Sequence, residues 1–269
     1  MADLEALLAE LADECADLER LVARLDAEGM ATPTPAPGWS IAHQIGHLAW
    51  TDEVATIAAT DADRFTSIVG DAFGKALTFV DEAAEAAATA APEELLTRWH
   101  NGRTALAGAL RAVPPGAKVP WFGPPMSAAS MATARLMETW AHGQDVADAL
   151  DVHRTPTSRL RTVAHIGVRT RNFAYLVREK PTPNEEFRVE LTAPDGSLWT
   201  WGPEDAVQRI TAPALDFCLL VTQRRHPDDL AVRANGTDAA EWLTIAQAFA
   251  GTSGEGRTPG QFDRAQYKP

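Results

Sequence analysis

The spacing of hydrophobic residues constrains this chain most, because it reads as helical through the first half and then changes. Leu4, Leu7, Leu8, Leu11, Cys15, Leu18, Val22 and Leu25 recur at steps of three and four, which puts one apolar stripe on one helix. Gly29 and the proline-rich stretch Thr32 to Gly38 mark its end. Ser40 is placed to cap a second helix from Ile41 to about Thr60. Helices are expected near 64–89 and 93–113, before Pro114, Pro115 and Gly116 break the chain. Trp121-Phe122-Gly123-Pro124-Pro125 reads as a loop with two large aromatics, and another helix is expected from Ser127 to Leu150. One more follows Thr155-Pro156, through Val163, Ile166, Val168, Phe173 and Leu176, until Pro181 to Asn184 end it.

From there the pattern is that of strands. Phe187-Arg188-Val189-Glu190-Leu191 alternates, Pro194 to Ser197 is a turn, and Leu198 to Trp201 is the return strand. A helix over Pro213 to Gln223 begins with a proline where the first turn tolerates one. A short strand near Leu230 to Arg233 separates it from a last helix over Ala239 to Ala250, and the tail from Gly251 reads as an extended or mobile arm. The expected fold class is mainly α, a helical bundle followed by a small α/β domain. The expected boundaries are 1–153 for the bundle, 154–181 for a connecting helix and 182–269 for the α/β domain with its tail.

The formal charge of −13 opposes nucleic-acid binding, and Arg224-Arg225-His226 is too short a basic cluster to override it. No apolar run approaches about 18 residues, so no membrane partner is expected. The acidic, amphipathic start MADLEALLAELADEC lacks the features of a signal peptide, which places the expected location in the cytoplasm. Cys15 and Cys218 are far apart and outside any CxxC, and are expected to be buried small hydrophobes.

The segment with the most chemistry is Arg135 to Asp145. Glu138 and His142 are four apart, so a helix sets both on one face, one turn from each other. One helix face cannot surround an ion, and a third ligand must come from elsewhere. His47 is the best candidate, on a helix apolar nearly all round, where a buried imidazole needs a partner. His43, one turn earlier, is its rival. Two imidazoles and a carboxylate are the donor set of open catalytic zinc sites and of some iron and nickel sites. Asp145 could hold the second nitrogen of a ligand histidine, and Arg135 could orient Glu138 or meet an anionic substrate. The same spacing also fits a solvated polar stripe over a buried face of Leu136, Trp140, Ala147 and Leu150.

Gly38-Trp39-Ser40 and Gly46-His47-Leu48-Ala49, followed much later by Glu138-Thr139-Trp140-Ala141-His142-Gly143-Gln144-Asp145, resemble the DinB-like metal-binding superfamily. The branch is that of the mycothiol-dependent maleylpyruvate isomerase N-terminal domain. Residues 121–125, 165–171 and 216–226 resemble an actinobacterial metal-binding subfamily that carries this domain. The resemblance spans roughly residues 5–152. It implies a four-helix bundle with an open divalent site, usually zinc, held by His47, Glu138 and His142, which match the family's ligands one for one. His43 does not match. It also implies mycothiol or a similar thiol as co-substrate, in isomerisation or transfer to a small electrophile.

A bound divalent cation lowers the pKa of a coordinated thiol, so neither route needs a protein cysteine. His165 and Arg169, at i,i+4 spacing, are candidate catalytic residues together with Arg135. Arg171, Arg224 and Arg225 are candidates for binding the cofactor or an anionic substrate. Trp121 and Phe122 could line the mouth of a pocket. The leading expectation is a metal- and mycothiol-dependent transferase or isomerase, working as a monomer or homodimer. The alternatives are a metal-dependent hydrolase, with water in place of thiol, and a binding protein without turnover.

Overall fold

The computed structural model describes residues 3–74, 78–251, 254 and 256–262. The chain divides into two compact units, Met1–Val152 and His153–Pro269. In the first unit α1 (Leu4–Val22) starts at Asp3, whose carboxylate accepts the Glu5 N–H at 3.1 Å, and buries Leu7, Leu8, Leu11, Cys15, Leu18 and Val22. After the short α2 (Ala27–Met30), residues 32–40 form a loop closed by the Thr34 N–H on the Trp39 carbonyl at 2.8 Å. Then come α3 (Ile41–Thr60), α4 (Ala62–Gly74), α5 (Phe79–Ala88), α6 (Pro92–Ala112) and α7 (Ala128–Ala149).

The long helices α1, α3, α6 and α7 make the bundle. Helix α7 packs on α1, and α3 packs on α5, α6 and α7. An all-round apolar sequence suits that position, and Ile41, Ala42, Gln44, Ile45, Gly46, His47, Leu48 and Ala49 are all buried. Val54, Ala55, Leu106, Leu110, Met131 and Ala132 form a core beside Phe65. Gly46 lets α5 approach closely, since a Cβ there would lie 2.7 Å from the Cβ of Ala87. The helix expected over 64–89 is found as α4 and α5, with 75–77 outside the described residues. Among the described residues no helix is long and apolar enough to cross a membrane.

In the second unit, the single helix expected before the strands is two, α8 (Leu160–Arg169) and α9 (Arg171–Val177), divided at Thr170. They pack on α10 (Ala214–Val221) and α11 (Thr237–Ile245) respectively. The sheet has the order β2 (Leu198–Trp201), β1 (Phe187–Thr192), β3 (Gln208–Pro213), β4 (Arg233–Asn235). Pairing is antiparallel for β1–β2, with Leu191 opposite Trp199, parallel for β1–β3 and antiparallel for β3–β4. Phe187, Val189 and Leu191 alternate into the buried face, as do Gln208, Ile210 and Ala212.

Strand β3 was not expected. Only Ile210 among its six residues is large and apolar, too little to signal a strand. Strand β4 begins at Arg233, the last residue of the expected 230–233, after a 3-10 turn over Pro227–Asp229. The last helix ends at Ile245 rather than Ala250. Of the expected arm from Gly251, residues 252, 253, 255 and 263–269 lie outside the described residues.

Candidate metal centre

Helix α3 carries His47 and α7 carries Glu138 and His142, and the packing of these two helices brings the three together. One ligand atom from each lies within 4.8 Å of the others. Nε2 of His47 is 3.4 Å from Oε2 of Glu138, and Nε2 of His142 is 3.2 Å from the same oxygen. The side chains keep only 10%, 21% and 12% of their surface exposed, so this is a recessed cluster and not a solvated stripe. Burial pushes the Glu138 carboxyl up, but the contacts with the imidazoles of His142 and His47 outweigh it and hold the group well below the usual carboxylate range.

The surroundings assign the tautomer of His142. The Thr34 hydroxyl donates to the Trp39 carbonyl at 2.8 Å, so its oxygen is left to accept the Gln44 amide N–H at 2.9 Å. That turns Oε1 of Gln44 to Nδ1 of His142, and Nδ1 must be the donor. Nε2 then offers a bare lone pair to a carboxylate oxygen. Two acceptors facing each other at 3.2 Å require a positive charge between them, either a proton or a metal ion. Donor set and burial both fit a divalent transition ion. His47 is held differently, between the rings of Trp39 and Trp50 at centroid distances of 5.4 and 6.0 Å.

The remaining candidates have other surroundings. Nδ1 of His43 accepts the Ser40 N–H at the α3 cap, which leaves Nε2–H to donate to Glu85 at 2.7 Å. Gln44 is a partner at Nδ1 of His142. Arg135, expected near Glu138 or a substrate, donates to Asp52 at 2.8 Å, with both side chains almost fully buried. Sequence reasoning missed Gln44, Thr34 and Trp39 as parts of the site. Only the Gly38-Trp39-Ser40 motif hinted at the last.

In the second unit, Nδ1 of His165 accepts from the Trp201 indole at 3.2 Å. Burial lowers the pKa of this histidine, with Arg169 and Arg161 adding to the effect. Arg171 lies over the Phe187 ring at 4.3 Å and donates to the Glu185 carbonyl. Arg224 donates to the Thr222 carbonyl. Arg225 is 3% exposed, over the Phe262 ring. Both cysteines are buried and free. Burial pushes the Cys15 thiol up to about 12 and the Cys218 thiol well above its ordinary value.

Comparison with known proteins completes the picture. The profile of the mycothiol maleylpyruvate isomerase N-terminal domain family matches residues 11–147. The chain belongs to this family. Two uncharacterized proteins of Mycobacterium tuberculosis, from strains CDC 1551 and H37Rv, are similar to it. Each is 58% identical over 257 residues, covering 96% of this chain and 100% of theirs. A crystal structure of the mycothiol-dependent maleylpyruvate isomerase superposes with a TM-score of 0.57 at 17% identity, covering 82% of this chain and 90% of that one. A histidine-to-alanine variant of the isomerase matches equally well, at 16% identity. The fold is therefore that of the isomerase. A second profile, named for wyosine base formation, matches residues 183–235 in the sheet unit.

Proposed function

We propose that this member of the isomerase family binds a divalent transition metal, zinc being the first choice, through His47, Glu138 and His142. It would use mycothiol to transfer to, or isomerise, a small electrophile. The observation that carries the reading is the convergence of two imidazole nitrogens and an ionised carboxylate, with His142 fixed as the Nδ1–H tautomer by Gln44. A divalent cation bound there would acidify a coordinated thiol, making the thiolate available near neutral pH. The chain's own part is to hold three donors in place. Gln44 orients His142, Trp39 and Trp50 hold His47, and helix packing sets Glu138 between the two. The buried thiols of Cys15 and Cys218 are too weakly acidic to serve as nucleophile, which fits an external thiol.

Metal analysis of the purified full chain beside His142→Ala tests the site. One equivalent per chain in the wild type and loss in the variant is the expected result. Equal metal in both would remove the basis of the reading. Consumption of an electrophile by the metal-loaded wild type only when mycothiol is present would support the thiol step, and thiol-independent turnover would overturn it.

A further inference from the structure

The walls of the site that belong to the bundle are aromatic and acidic. Trp50, one turn beyond His47 on α3, meets Phe79 edge-on at 5.2 Å, and Phe79 meets Phe122 at 6.1 Å. Phe122 is 39% exposed. A continuous aromatic strip therefore runs from a ligand histidine to the surface. Ring faces and edges of this kind favour another flat π system by stacking or edge-to-face contact.

The charges point the same way. Helices α3, α5 and α7 carry eight carboxylates and a single cation, Arg135. That guanidinium is 2% exposed and held by Asp52, so it cannot serve a substrate. The arginines of α6 are also engaged, Arg98 with Glu53, Arg103 with Glu19 and Arg111 with Glu5. Two of these eight, both on α5, flank the site, Asp81 on the Trp39 indole at 2.9 Å and Glu85 on His43. A substrate with two carboxylates would meet repulsion and, among the described residues of α3, α5, α6 and α7, no free guanidinium.

We infer that the electrophile is a flat, uncharged aromatic or conjugated molecule that lies along Trp50, Phe79 and Phe122, and not a dicarboxylate. The inference rests on the proposed function for its metal and thiol, but the strip can be read without turnover. Meta-dinitrobenzene and isophthalate share one ring and one substitution pattern and differ in charge. Titrated into the full-length protein, meta-dinitrobenzene should quench tryptophan fluorescence saturably, and isophthalate should bind at least about tenfold more weakly. Phe122→Ser, and independently Phe79→Leu, should weaken the dinitrobenzene binding about three- to tenfold while metal affinity and melting temperature stay at wild-type values. No saturable quenching, equal binding of the two probes, or wild-type binding in both variants would overturn the inference. The proposed function would then stand or fall separately, on the metal content of the wild type against His142→Ala.

Discussion

Gln44 is fully buried, and both ends of its amide are used. Its oxygen takes the Nδ1–H of His142 and its nitrogen gives to Thr34, so the proposed ligand His142 is held through a loop residue ten positions upstream of Gln44. Partners of this kind fix ring orientation and basicity, and removing one weakens metal binding about 10- to 100-fold. Gln44→Leu should show a loss of that size in a chelator competition. Its apo form should also lose about 1–3 kcal/mol of stability, because Nδ1–H is left buried without an acceptor. Gln44→Glu restores an acceptor and should recover most of the affinity. Wild-type affinity in the leucine variant would show that Gln44 only fills space. The Glu138–His142 pair was legible because helical spacing alone sets it on one face. Gln44 was not, because its role depends on a contact with a residue 98 positions away. For Arg135 likewise, its i,i+3 relation to Glu138 is visible in the sequence, but the contact with Asp52 on α3 is not.

Helix packing sets how much room those side chains have. Gly46 and Gly108 are both interior helical glycines, on α3 and α6, and intrinsic propensity favours alanine over each by about 0.5–1 kcal/mol. Packing separates them. A Cβ at Gly46 would sit 2.7 Å from the Ala87 Cβ and 3.3 Å from the Ala84 carbonyl, whereas a Cβ at Gly108 meets nothing within 4 Å. Gly108→Ala should therefore stabilise by about 0.5–1 kcal/mol. Gly46→Ala must push α5 off α3 and should destabilise by about 1–3 kcal/mol, the usual size of overpacking. Thermal or denaturant melts of the two variants should move in opposite directions, and a shift of the same sign in both would refute the packing argument. Helix types were readable where the apolar period was sustained, as in α1, α3 and α7. The break between α4 and α5 and the division of α8 from α9 at Thr170 were not, because no proline or cap pattern strong enough to stop a helix marks either place. Strand β3 escaped for want of apolar residues, since two of its three buried positions are filled by Gln208 and Ala212 around Ile210.

The whole chain divides its charge as unevenly as its secondary structure. Residues 1–152 hold 23 acidic and 9 basic side chains, a net charge of −14, and residues 153–269 hold 14 and 15, a net of +1. The helical first half and the sheet-bearing second half could be told apart from the hydrophobic period. The charge division is equally present in the sequence but says nothing about fold. Its physical consequence is self-repulsion confined to the bundle. Several of the nine bundle cations are already used in exposed or half-exposed ion pairs, such as Arg98–Glu53 and Arg111–Glu5. Each such pair contributes only about 0–1 kcal/mol, so the unpaired acidic excess outweighs them. Salt should relieve the repulsion more than it weakens the pairs, because the Debye length falls from about 30 Å at 0.01 M to about 8 Å at 0.15 M. Raising salt over that range in the full chain should slow amide exchange of α3, α6 and α7 by about fivefold, equivalent to ~1 kcal/mol of opening free energy. Exchange of β1 and β3 should change by less than twofold. Equal slowing in both units, or faster exchange in the bundle, would mean that its carboxylates are better compensated than their number suggests. That would also weaken the case that its field turns anionic substrates away.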